Sequence, residues 1–176
     1  EQREIPSTVR LRSEVLEITE TGSVQCQITV RYTIGQSTLT AQRTDTLRLQ
    51  GRNVISWDDD RKAAAFVTAK DPTILKLSRN VTAALRDTAS VAVNDRFRQA
   101  VALFTGIKEH GIQYVVDPNS SYKELSLKQG ATDYLQFPTQ TLDYRSGDCD
   151  DLSILYAAML EAVGIPAAFV TTPGHI

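Results

Sequence analysis

Two side chains in this sequence could form a nucleophile and its base. Cys149 stands in Gly147-Asp148-Cys149-Asp150-Asp151, and His175 in Thr171-Thr172-Pro173-Gly174-His175-Ile176. A cysteine attacks as its thiolate, and a neutral imidazole within reach can take the thiol proton or rest beside the thiolate as imidazolium. The local pattern makes Asp148 a helix cap and sets Cys149 in the first turn of a helix running to about Ala162. Backbone N–H groups there are unpaired and the dipole end is positive, so a lowered thiol pKa is expected.

The elements that must hold this pair follow from the flanking residues. Leu152, Ile154, Leu155, Ala157, Ala158, Met159 and Ala162 make the helix apolar on most sides, as in a central core helix. Gly164-Ile165-Pro166 ends it, and Ala167-Ala168-Phe169-Val170 is predicted as a strand that delivers His175. Asp148, Asp150 and Asp151 oppose the dipole, because carboxylates beside a thiol disfavour its ionisation. One resolution points them outward, Asp148 capping N–H groups and Asp151 completing a capping-box-like contact. The other is a hard cation such as Ca²⁺ held by carboxylate oxygens.

The run Gly147-Asp148-Cys149-Asp150-Asp151-Leu152, a small-residue helix, then Gly164-Ile165-Pro166-Ala167, resembles the core of the transglutaminase-like superfamily, in its bacterial type. The resemblance is clearest from about Tyr134 to His175 and extends more weakly back to about Asp71. It implies a papain-like fold and a Cys–His–Asp triad, with Cys149 as nucleophile and His175 as base. The family's third residue lies on the strand after the histidine, and this chain stops one residue after His175. The expectation is therefore a fragment, its triad completed beyond Ile176 or from elsewhere. Some bacterial relatives of this kind bind calcium through acids flanking the cysteine, and Asp148 and Asp150 stand in matching places. Acyl transfer also needs an oxyanion hole: the Cys149 N–H supplies one donor, and Gln136, Gln140 and Tyr134 are candidates for the second. A zinc site is a poor alternative with one cysteine and one histidine at hand.

Composition sets the outer bounds. The chain has 176 residues, 41% hydrophobic and 23% charged, with net charge −2, which argues against a nucleic-acid partner. Residues 1–110 carry 16 Lys/Arg and 13 Asp/Glu, whereas residues 111–176 carry 3 and 8, so acidity gathers around Cys149. No apolar run is long enough to span a membrane, and two cysteines make no disulfide framework. The compartment is open, with a bacterial extracytoplasmic (periplasmic) setting favoured over the cytoplasm.

In chain order, Val24, Cys26, Ile28, Val30, Tyr32 and Ile34 alternate with polar residues as a half-buried strand, with Cys26 on its apolar side. Val9–Ile18, Leu39–Leu49, Arg52–Trp57 and Ala63–Val67 read as further strands of an antiparallel meander or small sandwich. Asp71-Pro72 starts a helix along Ile74, Leu77, Val81 and Leu85, and Asn94 caps another along Phe97, Val101, Phe104 and Ile107. His110 belongs to that helix's C-terminal end, which Gly111 terminates. Tyr114-Val115-Val116 reads as a short strand, Asp117-Pro118-Asn119-Ser120 as a turn, and residues 121–141 as a long loop with room for one helical turn. Asn80-Val81-Thr82 and Asn119-Ser120-Ser121 match glycosylation tripeptides, which are common by chance.

These readings define an α+β protein: an N-terminal antiparallel β-domain over 1–69 and a transglutaminase-like domain over 70–176. The expected function is cysteine-dependent acyl chemistry on a protein or peptide, with protease or amidase activity favoured over crosslinking transfer. The alternative is a non-catalytic module that engages a protein partner through the β-domain and an unused cleft.

Overall fold

The computed structural model describes residues 10, 12–85, 93–116, 131–172 and 175–176. The chain forms two compact units, one through Arg52 and one from Asn53. Together they make an α+β protein, an antiparallel two-stranded sheet followed by a helical core.

The first unit is built on a long ribbon. Strands β1 (Gly22–Ile34) and β2 (Ser37–Leu49) pair from Gly22↔Leu49 to Ile34↔Ser37. Gly35, at φ 61°, opens the two-residue turn, a backbone region that costs glycine nothing. The alternation in the sequence sets Val24, Ile28, Val30 and Tyr32 on one face with Leu39 and Leu47 opposite, each between 42% and 47% exposed. Cys26, expected in a core, is half-buried opposite Asp45 on this ribbon. The meander is smaller than expected, since Ser13–Glu17 is a 3-10 turn and no third strand joins β1 and β2 among the described residues. Val9 and its neighbours lie outside the described residues.

Residues 53–69, expected with the β-part, belong to the second unit. Strand β3 (Val54–Ser56) pairs antiparallel with β5 (Thr132–Tyr134), far along the chain. Ala63–Val67 is not a strand: Asp60–Phe66 forms a 3-10 helix capped by the Asp59 side chain. Its turns bring Ala63 and Phe66 inward to a core with Ile55, Trp57, Leu135 and Ile154. Helix α1 (Pro72–Ala83) starts as expected, Asp71 accepting the Thr73 N–H at 2.8 Å with Pro72 at the first position. Helix α2 (Asp95–Glu109) starts at Asn94, whose side chain takes the N–H groups of Arg96 and Phe97, and ends at His110 and Gly111, at φ 81°. Strand β4 (Gln113–Tyr114) follows, and 117–120 lie outside the described residues. The segment expected as loop contains β5 and helix α3 (Pro138–Tyr144) in its described part.

Helix α4 (Cys149–Ala162) is the axis of this unit. Ile154 faces the Trp57 core, while Leu155, Ala158 and Met159 pack with Ile74, Leu103 and Leu142 from α1, α2 and α3. Tyr156 adds an edge-on contact with Phe104 at 5.8 Å and donates its hydroxyl to the Ala100 carbonyl at 3.0 Å. Gly164, at φ 79°, lets the chain leave the helix. Truncating a fully buried leucine costs about 2–5 kcal/mol through lost transfer energy and the cavity left behind. Leu155→Ala is therefore expected to lower the unfolding free energy of this unit by that much and its urea midpoint accordingly. Trp57 fluorescence reads it, because the chain's one tryptophan is buried here. An unchanged midpoint would refute the central role of α4.

Candidate functional site

The site begins with the connection between α3 and α4. Gln140 reaches back from α3, its Oε1 accepting the Phe137 N–H at 2.8 Å and the Asn53 amide at 2.6 Å. Arg145, at φ 54°, ends the helix in the left-handed region. Strand β6 (Ser146–Gly147) then runs parallel to β4, with Gln113 facing Ser146 and Tyr114 facing Gly147. A Cβ on Gly147 would lie 2.7 Å from the Asp151 Cβ, so only glycine allows this strand to pass so close to the start of α4.

Cys149 takes the first helical position, half-buried against the Trp57 core. Its sulfur is hydrogen bonded by the backbone of Ile176 and of Asp150. Its own N–H has no acceptor among the described residues. The expected lowering of the thiol pKa is not found. Burial pushes the thiol above the ordinary cysteine value, the neighbouring Asp150 and Asp148 carboxyl groups add to the rise, and the two backbone contacts offset it in part. The thiol therefore rests protonated near neutral pH.

His175 is exposed and held through its backbone. Its N–H donates to the Thr172 carbonyl at 3.0 Å, and its carbonyl accepts the Thr172 N–H at 2.8 Å. The next residue, Ile176, touches the sulfur and accepts the Ser153 hydroxyl at 3.3 Å. The structure thus carries the main chain of His175 to within one residue of Cys149, although the imidazole makes no hydrogen bond to the thiol. The strand expected at 167–170 is absent: Ala167 gives its N–H to the Glu161 carboxylate at 3.0 Å, and Val170 is 77% exposed with no ladder partner.

The acids do not point outward. Asp133, Asp148, Asp150 and Asp151 are each 5% exposed or less, and a carboxylate oxygen from each of the last three lies within 4.8 Å of the others. Asp148 occupies the cap position, yet its side chain caps no N–H. Asp151 supplies the capping-box-like contact: it accepts the Gln136 N–H at 2.8 Å and is hydrogen bonded to the Asp148 backbone. Burial nevertheless raises Asp151 to about 6. Asp150 is shifted strongly upward, first by burial and then by its hydrogen bond to Asp148, which makes it a neutral donor. Its Oδ1 accepts the Asp151 N–H at 2.8 Å. Asp133 takes the Trp57 indole N–H at 2.8 Å. Asp148 and Asp133 raise both Asp150 and Asp151.

Of the candidate oxyanion donors, Gln140 is committed to Phe137 and Asn53 and has a structural place. Tyr134 and Gln136 line a cleft of about 210 Å³ with Val115, Val116, Ser146, Gly147 and Asp151. A larger groove, about 560 Å³, runs past Ala64, Val67, Ala157 and Phe169 and does not reach Cys149. The sequence reading missed Tyr114. Its phenol is held above its ordinary pKa by partial burial and then by Cys149, Asp148 and Asp150, and its strand pairs beside Gly147, two residues from the thiol. Only its strand was legible; the β4–β6 pairing that sets it there is long-range.

The family model for the transglutaminase-like superfamily matches residues 84–175, just over half of the chain. The chain belongs to that superfamily, whose common chemistry is cysteine-dependent acyl transfer. Comparison with curated proteins and with solved structures finds no match.

The raised acids fix the pH dependence of stability. Unfolded aspartates titrate near 4, so stability is full below about pH 4 and is lost as pH rises through about 6, where Asp151 ionises, and beyond for Asp150. Asp150→Asn keeps the shape and the donor without the charge. Its melting temperature is expected to match the parent at about pH 4 and exceed it by several degrees at about pH 8, by calorimetry in chelator-containing buffer. A gap that does not widen with pH would contradict the assignment of Asp150 as a neutral donor.

Proposed function

We propose that this chain carries a cysteine-dependent acyl enzyme that hydrolyses an amide of a protein or peptide. The observation that supports it is the junction at the start of α4, where the sulfur of Cys149 meets the backbone of Ile176, one residue from His175. Because the resting thiol is protonated, proton removal accompanies attack. The His175 imidazole takes the thiol proton as the sulfur adds to the carbonyl carbon, and the carbonyl π pair moves to oxygen. The intermediate collapses by breaking the C–N bond, and the amine leaves with the proton from the imidazolium. Water, deprotonated by the same imidazole, then releases the acid and restores the thiol. Under the alternative, a binding module with an unused cleft and a protein partner on the ribbon, Cys149 has no role in turnover. Cleavage of dye-quenched casein by the protein is expected to vanish in Cys149→Ala. In His175→Ala it is expected to fall by roughly 10²–10⁴. Activity that survives in Cys149→Ala would end the enzyme reading.

A calcium-assisted form of this reading is supported by the three buried carboxylates within 4.8 Å and by Gln136 Oε1, a buried acceptor with no partner. The donors are all oxygen, as Ca²⁺ requires, with Asp148 and Asp150 as the residues that would hold it. The ion would cancel the negative charge that now faces the thiol. A calcium titration by calorimetry is expected to release heat with the parent and none with Asp150→Asn. Absence of heat in both removes the ion from the reading.

A further inference from the structure

We propose that the Tyr114 hydroxyl is the second oxyanion donor of this site, completing with the Cys149 N–H the pair that holds the carbonyl oxygen once the sulfur has added. The inference rests on the acyl-enzyme reading above and names a group that acts within it.

The geometry comes from a two-residue ladder. Tyr114 faces Gly147 in parallel register, and the Gly147 carbonyl accepts the Val115 N–H at 3.0 Å, with the Arg145 carbonyl taking the Gln113 N–H at 2.9 Å one step earlier. Gly147 is separated from Cys149 only by the cap residue, so the ladder lays the tyrosine along the mouth of α4. The groups acting on its phenol are Cys149, Asp148 and Asp150. A phenol is protonated near neutral pH in any case and offers a donor. Tyr114 is 56% exposed, which leaves the hydroxyl open to an incoming carbonyl.

The chemistry matches the task. When the sulfur adds, a C–S bond forms and the carbonyl π pair becomes an alkoxide. That charge needs donors waiting at its position rather than recruited afterwards. The Cys149 N–H sits at a helix start and has no other acceptor among the described residues. The phenol of Tyr114, on the strand paired beside Gly147, is the natural partner. Gln140, bound to Phe137 and Asn53, cannot turn to this place without breaking the start of α3.

Two reactions of the same sulfur separate this role from mere packing. Acylation by p-nitrophenyl acetate passes through a tetrahedral oxyanion, whereas alkylation by iodoacetamide does not. Both adducts can be located on Cys149 by mass spectrometry of the full chain. Tyr114→Phe is expected to slow acylation by at least tenfold, towards the roughly 10²-fold loss of one oxyanion donor, while alkylation stays within about twofold. An equal fall in both rates would show a packing role and overturn the proposal, as would unchanged acylation. So would the same selective loss in Gln136→Ala with none in Tyr114→Phe. Acylation of the parent no faster than that of free cysteine would instead overturn the acyl-enzyme reading itself, and this inference with it.

Discussion

Four buried carboxyl groups, Asp133, Asp148, Asp150 and Asp151, govern the start of α4. Burial raises Asp150 and Asp151 above the ordinary carboxylate range, and the structure answers with protons and backbone donors. Asp150 gives a hydrogen to Asp148, and Asp151 collects N–H groups from Gln136 and Asp148. These contacts fasten the segment before α3 to the first turn of α4, where the sulfur sits. A change in the charge of this cluster therefore acts on stability and on the thiol at once. Of these acids, Asp150 and Asp148 act on the thiol and raise its pKa.

The packing explains how the turn tolerates such a cluster. Helix α4 is buried on two sides, by the Trp57 core and by the three helices grouped around Met159. Apolar burial of this extent outweighs the cost of several uncomfortable polar groups at one end. Gly147 matters in the same sense, because a side chain there would drive Asp151 from its place.

Helices were easier to read from the sequence than the rest. Asp71-Pro72, Asn94, Gly111 and Gly164 are local signals, and the periodic apolar residues between them need no distant partner to be recognised. Ala63-Ala64-Ala65-Phe66 misled because a short apolar run fits a strand or a tight turn equally well. Ala167 to Val170 has strand-forming residues, but a strand exists only with a ladder beside it. The position of Cys149 at a helix start was legible; its electrostatics were not. The sequence left the acids either facing solvent or gathered on a cation, and tertiary packing encloses them. Tyr114 carries no motif, and only the pairing of β4 with β6 reveals its neighbourhood.

The hydrogen bond from the Trp57 indole to Asp133 has a use of its own. Asp133 acts on Asp150 and Asp151, and the chain holds no other tryptophan. Indole emission is sensitive to a nearby charge, so the protein contains an intrinsic optical probe wired to its acidic centre. Ionisation or ligation there can be followed by ultraviolet light, without a dye and without turnover.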